Sequence, residues 1–148
     1  MLKFLSKLFG SKSERDIKGV HPLVNKIKEE YEKLSGLTHD ELRAKTTEFK
    51  ERISTYLQDI DKEIDELKGQ ADATEDMEKK TSIYDQVDKL TKDRDKKLEE
   101  ILLEILPEAF AVVKDTARRF TENKEIEVTA SQFDRDLAAR KTERTGQW

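Results

Sequence analysis

Apolar side chains recur along this chain every three or four residues and almost nowhere alternate, a pattern that predicts helices rather than strands. In HPLVNKIKEEYEKLSG, Leu23, Val24, Ile27, Tyr31 and Leu34 share one side, Pro22 stands at a natural first helical position, and Gly36 closes the segment. LTHDELRAKTTEFKERI opens with a start signal. Thr38 can cap, Glu41 can return the bond three residues later, and Leu37 and Leu42 are spaced for a hydrophobic staple. From there Leu42, Phe49, Ile53, Tyr56, Ile60, Ile64 and Leu67 trace a narrow seam as far as Gly69, with Thr46 in its first gap. QADATED, residues 70–76, reads as a turn. A second seam follows through Ile83, Val87, Leu90, Leu98, Ile101 and Ile105, with Arg94 at one intermediate position. Two seams joined by a short turn predict an antiparallel hairpin of about 48 Å at ~1.5 Å per residue. The alternative is one half of an intermolecular coiled coil, and with it a stand-alone helical interaction protein, without enzymatic activity, that could pair as a homodimer.

The longest apolar passage, ILLEILPEAFAVVKDTARRF, is interrupted by Pro107, which is expected to break or kink the helix entering it. PEAFAVVKDTARRF then reads as a fresh helix with Phe110, Val113, Ala117 and Phe120 on one side, and Ala111 and Val112 widening the face beyond a two-stranded seam. Such a face calls for a larger body to bury it. Beyond it lie a short strand near Ile126 to Thr129, a helix capped at Ser131 with Asp134 as the matching residue, and a loose KTERTGQW tail. The expected class is all-α, extended helices with one antiparallel hairpin and at most that one strand. The segments are 1–20, basic and amphipathic; 21–69, helical; 70–106, the hairpin's second helix; 107–120, a helix leading into a body not encoded here; and 121–148, a partly ordered tail.

Composition narrows the possible functions. Charged residues fill 42% of positions against 34% apolar and 7% aromatic, too few to build a broad core but enough for seams. Without cysteine there are no disulfides, thiolate metal sites or cysteine nucleophiles. His21 and His39 stand beside Pro22 and Asp40 at expected turns, where solvation is the ordinary state, and neither has a partner at ligand spacing. Mixed charges around the seams read as solvated helix faces, not as hydrolytic carboxylate pairs. No apolar run reaches the ~20 residues of a membrane span, which places the protein in the cytoplasm.

The first 20 residues differ from the rest. Five basic residues (Lys3, Lys7, Lys12, Arg15, Lys18) against two acidic ones (Glu14, Asp16) give them +3, in a chain whose total is −4. Leu2, Phe4, Leu5, Leu8 and Phe9 recur at helical spacing, opposite Lys3, Ser6 and Lys7. A basic amphipathic helix of this kind suits an anionic membrane surface, each Lys adding about 1 kcal/mol near charged lipid. Packing on the protein's own body is the competing use. Nucleic acid is a poorer fit, because no aromatic and basic residues interleave downstream.

Three passages in one order support a named comparison. LPEAFAVVKDTARRF resembles the passage leading into the first nucleotide-binding domain of the SecA family, the ATP-driven motors of bacterial protein export. LSGLTHDELRAKTTEFKERI resembles that family's early helical segment, and MLKFLSKLFGSKSERDIK its basic N-terminus. Residues 58–100 look like a hairpin inserted between them. The resemblance implies a peripheral motor on the cytoplasmic face of the inner membrane. It would bind the SecY channel and acidic phospholipids through Leu2, Lys3, Phe4, Leu5, Lys7, Leu8 and Phe9, and move preproteins with ATP and magnesium. Phe110, Val113, Ala117 and Phe120 would pack on the nucleotide-binding domain. No catalytic, cofactor or metal residue transfers to this chain. A phosphate-binding loop needs glycines beside a lysine, and none of Gly10, Gly19, Gly36, Gly69 and Gly146 precedes one. Gln132 in SQFD does not reproduce the family's adenine-reading motif.

Overall fold

The computed structural model describes residues 12–145, and the side chains of residues 17–140. They form four helices: α1 (Lys12–Lys33), α2 (His39–Ala73), α3 (Met77–Glu122) and α4 (Gln132–Thr145). Among the described residues there is no strand, and the chain is all-α.

The predicted start of α2 is built as the residue types require. Thr38 Oγ1 accepts from the Glu41 amide (3.2 Å) while the Glu41 carboxylate accepts from the Thr38 amide (2.7 Å), and Leu37 packs beside buried Leu42. Gly36 takes φ +91°, the left-handed conformation that lets the chain reverse after α1. Asp76 caps α3 by accepting from the amides of Glu78 and Lys79. Ser131 and Asp134 make a second capping box: Ser131 Oγ accepts from the Asp134 amide, and the Asp134 carboxylate accepts from the Ser131 amide.

Two hydrophobic clusters organise these helices. Leu57, Ile60, Ile64 and Val87 form the first, flanked by Ile53, Leu67, Leu90 and Leu98, and zip α2 against α3 as an antiparallel arm. Leu34, Leu42 and Ala111 form the second, with Ile27, Tyr31, Leu37 and Val112, where α1 and the start of α2 meet the second half of α3. The outward positions of the arm are largely polar, and its seam is filled from within one chain. The arm is therefore an antiparallel hairpin closed within one chain.

Several expected boundaries give way to tertiary packing. Pro22 lies inside α1, not at its start, and Pro107 lies inside a single 46-residue α3, so residues 107–120 are not a fresh helix. A proline inside a helix costs about 3 kcal/mol and frees the carbonyl four residues back. Here those carbonyls belong to Lys18 and Leu103, both exposed residues, and buried Ile101, Ile105 and Ala111 flank Pro107. Gly69 does not end α2, which runs on to Ala73 with Ala71 fully buried. Leu57 occupies the seam position expected for Tyr56. Ile53, Leu57, Ile60 and Ile64 keep steps of four, three and four, whereas Tyr56 is exposed and donates its hydroxyl to Glu100. The strand expected near Ile126 to Thr129 does not form, and the tail expected to be loose from Lys141 is helical as far as Thr145. Among the described residues no helix is long and apolar enough to cross a membrane.

Candidate functional site

The second half of α3 is apolar on two opposite sides. One side carries Ile101, Ile105 and Ala111, all buried. At about 100° per residue, Leu103, Leu106, Phe110, Val113, Ala117 and Phe120 fall on the other side within an arc of roughly 100°. Phe110, Val113 and Phe120 are 53%, 66% and 69% exposed, and Ala117 is exposed between them. Leu103 extends the stripe at 60% exposure. It runs about 25 Å along the helix at ~1.5 Å per residue. This contiguous apolar face stands out on a chain in which 42% of residues are charged. Ala111 and Val112 do not widen it, because they belong to the buried side.

Polar contacts fix the stripe's orientation. Asp115, 3% exposed, accepts from Arg119 Nε (2.8 Å) and from Arg118 (2.7 Å). Burial pushes its carboxyl up, and the two guanidinium groups outweigh that, leaving it below the ordinary carboxylate value. Arg119 also donates to the Leu37 carbonyl (2.7 Å) and meets His39 Nδ1 at 3.0 Å. A guanidinium only donates, so Nδ1 accepts and the ring proton sits on Nε2. His39 is thus a half-buried strut and not the solvated helix-start residue expected, whereas His21 is exposed within α1. On the α1 side, Lys114 lies 4.0 Å over the Tyr31 ring.

A second set of contacts ties the chain after α3 to the start of α2. Asp40 accepts from the Thr129 amide (2.9 Å) and hydroxyl (2.6 Å). Arg43 donates twice to Asp134 (2.8 Å each) and once to the Thr129 carbonyl (3.2 Å). Sequence reasoning missed this latch, because its partners are 86 to 91 residues apart and carry no local signal. The capping motif at Ser131–Asp134 was legible, but not the further use of its carboxylate. Beyond the latch, Phe133 (71% exposed) and Leu137 leave α4 with apolar surface of its own.

Leu2, Lys3, Phe4, Leu5, Lys7, Leu8 and Phe9 lie outside the described residues. An open cleft lined by Tyr31, Glu32, Ser35, Asp115 and Arg118 has its Asp115 and Arg118 engaged with each other, and among the described residues no cluster of metal-ligating side chains occurs.

The family model for the SecA DEAD-like domain matches residues 5–133. The chain is similar to the protein translocase subunit SecA of Parabacteroides distasonis, 50% identical over 139 residues, which is 93% of this chain and 12% of that protein. It is likewise similar to the subunits of Phocaeicola vulgatus (51% over 137 residues, 93% and 12%) and Porphyromonas gingivalis (48% over 136 residues, 92% and 12%). Matches of that length necessarily take in the α2–α3 arm. The chain spans about 12% of the length of these curated relatives. No solved structure matches it.

Proposed function

The chain belongs to the SecA family of protein translocase subunits, and from that premise we propose that it forms the N-terminal helical unit of a motor that drives preproteins through the SecY channel with ATP and magnesium. The unit itself carries no ATP site; it supplies packing and membrane attachment. The observation that supports this reading is the bare stripe Phe110, Val113, Ala117 and Phe120, presented by a helix whose other side is already buried. The occupant in this proposal is a nucleotide-handling body, for which the relatives leave room, because this chain spans about 12% of their length.

The test mixes the 148-residue chain with a purified SecA motor body lacking the corresponding N-terminal unit. Association is expected, and Val113→Asp with Phe120→Asp should abolish it while leaving helix content by circular dichroism unchanged. A failure to associate, or equal association of the double variant, overturns the packing role.

The same proposal gives Leu2, Phe4, Leu5, Leu8 and Phe9 to the bilayer interface and Lys3 and Lys7 to acidic phospholipid headgroups, holding the motor peripherally at the cytoplasmic face of the inner membrane. Deleting residues 2–9 should remove flotation with anionic vesicles at low and moderate salt. Undiminished flotation of the deletion would assign those residues to the protein's own body instead.

A further inference from the structure

The two hydrophobic clusters are separated by a level at which the contacts change character. Between Leu42 and Leu57, α2 has no fully buried side chain. Phe49 and Ile53 are only half-buried there, and ion pairs that straddle Pro107 join α2 to α3. Arg52 Nη2 meets Glu104 at 2.9 Å, Arg52 Nη1 meets Glu108 at 2.7 Å, and Lys45 meets Glu108 at 3.1 Å. Glu104 and Glu108 lie one helical turn apart on either side of the proline, where α3 lacks one backbone hydrogen bond. One guanidinium therefore bridges the weakest point of the longest helix.

We infer that this level is a bolted joint: Pro107 is where α3 can bend, and Arg52, by holding Glu104 and Glu108 together, with Lys45 on Glu108, locks the arm at one angle to the body. The mechanics are consistent on both helices. Proline is among the few causes of sharp helix bends, which exceed about 20°. From Pro107 to Met77 the arm reaches about 45 Å, so a swing of ~20° carries its tip about 15 Å. The fifteen residues of α2 between Leu42 and Leu57 span about 22 Å, and ordinary helix curvature of radius ~60–100 Å turns roughly 13–21° over that length. Neither of the two clusters has to open for the arm to move, but Ile101, Ile105 and Pro107, buried on α3 at this level, have to shift with the bend. The lock is electrostatic and partly exposed, with the Glu104 side chain 65% accessible, so a charged partner surface can reach it.

The absence of cysteine allows labelled pairs to be placed without background. A body-to-arm pair, Lys26→Cys with Gln70→Cys, and a within-arm pair, Gln70→Cys with Lys97→Cys, are measured by pulsed electron spin resonance. With the native joint both distance distributions should be narrow. Lys45→Gln with Arg52→Gln should broaden the body-to-arm distribution by several ångströms or more and leave the within-arm pair narrow. Adding Pro107→Ala to that double variant, which restores the missing amide, should narrow it again. Three results overturn the inference: an unchanged body-to-arm distribution, equal broadening within the arm, which would make the ion pairs holders of the hairpin itself, or no recovery on Pro107→Ala.

Discussion

At the scale of residues, the consequential groups are the ones whose charge the fold has already committed. Asp134 is the clearest. The paired Arg43 guanidinium, with the Ser131 amide and hydroxyl, holds its carboxyl down from the ordinary 3.8 to about 2. A depressed carboxyl favours the latched state in its ionised form, so that contribution is complete above the ordinary value and is lost as pH falls through the folded one. Asp40 is shifted in the same direction by the Thr129 hydroxyl and amide. The Ser131 amide, which donates to the Asp134 carboxylate, should therefore hold its resonance position from neutral pH to about pH 4 and move as the pH falls from 3.8 toward about 2. Movement with its midpoint near the ordinary 3.8 would mean that the latch does not form in solution. The carboxylate was readable as a cap, because capping acts within one helical turn. Its pairing with Arg43 was not, because a chain that is 42% charged offers every acid many cations and spacing alone cannot choose among them.

At the scale of elements, the arm has its own core and the body has another, and each should answer separately to damage. Leu57→Ala removes the most buried leucine of the first cluster, 2% exposed, and should cost about 2–5 kcal/mol within the arm. Hydrogen exchange should accelerate across residues 53–98 while amides near Ala111 and Asp115 keep their protection. Loss of protection along all of α3 would instead make arm and body one cooperative unit. The periodicity that located the seams depends only on spacing along a helix, and so survived into the structure. The error at Tyr56 has an equally simple cause. Both residue 56 and residue 57 continue the pattern acceptably, and the phenol, able to reach Glu100 at the rim, left the interior to the leucine.

At the scale of the whole molecule, the bare stripe is expected to dominate behaviour in solution. The parent chain should self-associate as its concentration rises, because exposed phenylalanines gain by covering one another. Val113→Asp with Phe120→Asp should remain monomeric by light scattering at the same concentrations. Parent and variant scattering identically would remove the stripe's claim to be an adhesive surface. Taken by itself, the sequence determined the helical class, the caps at Thr38 and Ser131, the turn at Gly36, the seams, and the apolar side of α3, since each is set within one or two helical turns by side-chain chemistry and the 3.6-residue period. Only the tertiary structure decided that the helices run unbroken through Pro22, Gly69 and Pro107, that Arg119 reaches Leu37 and His39, and that the stripe is left bare. Local signals state what a break or a cap is worth, about 1–3 kcal/mol; whether the chain obeys them depends on burial and ion pairs contributed by residues far away in sequence.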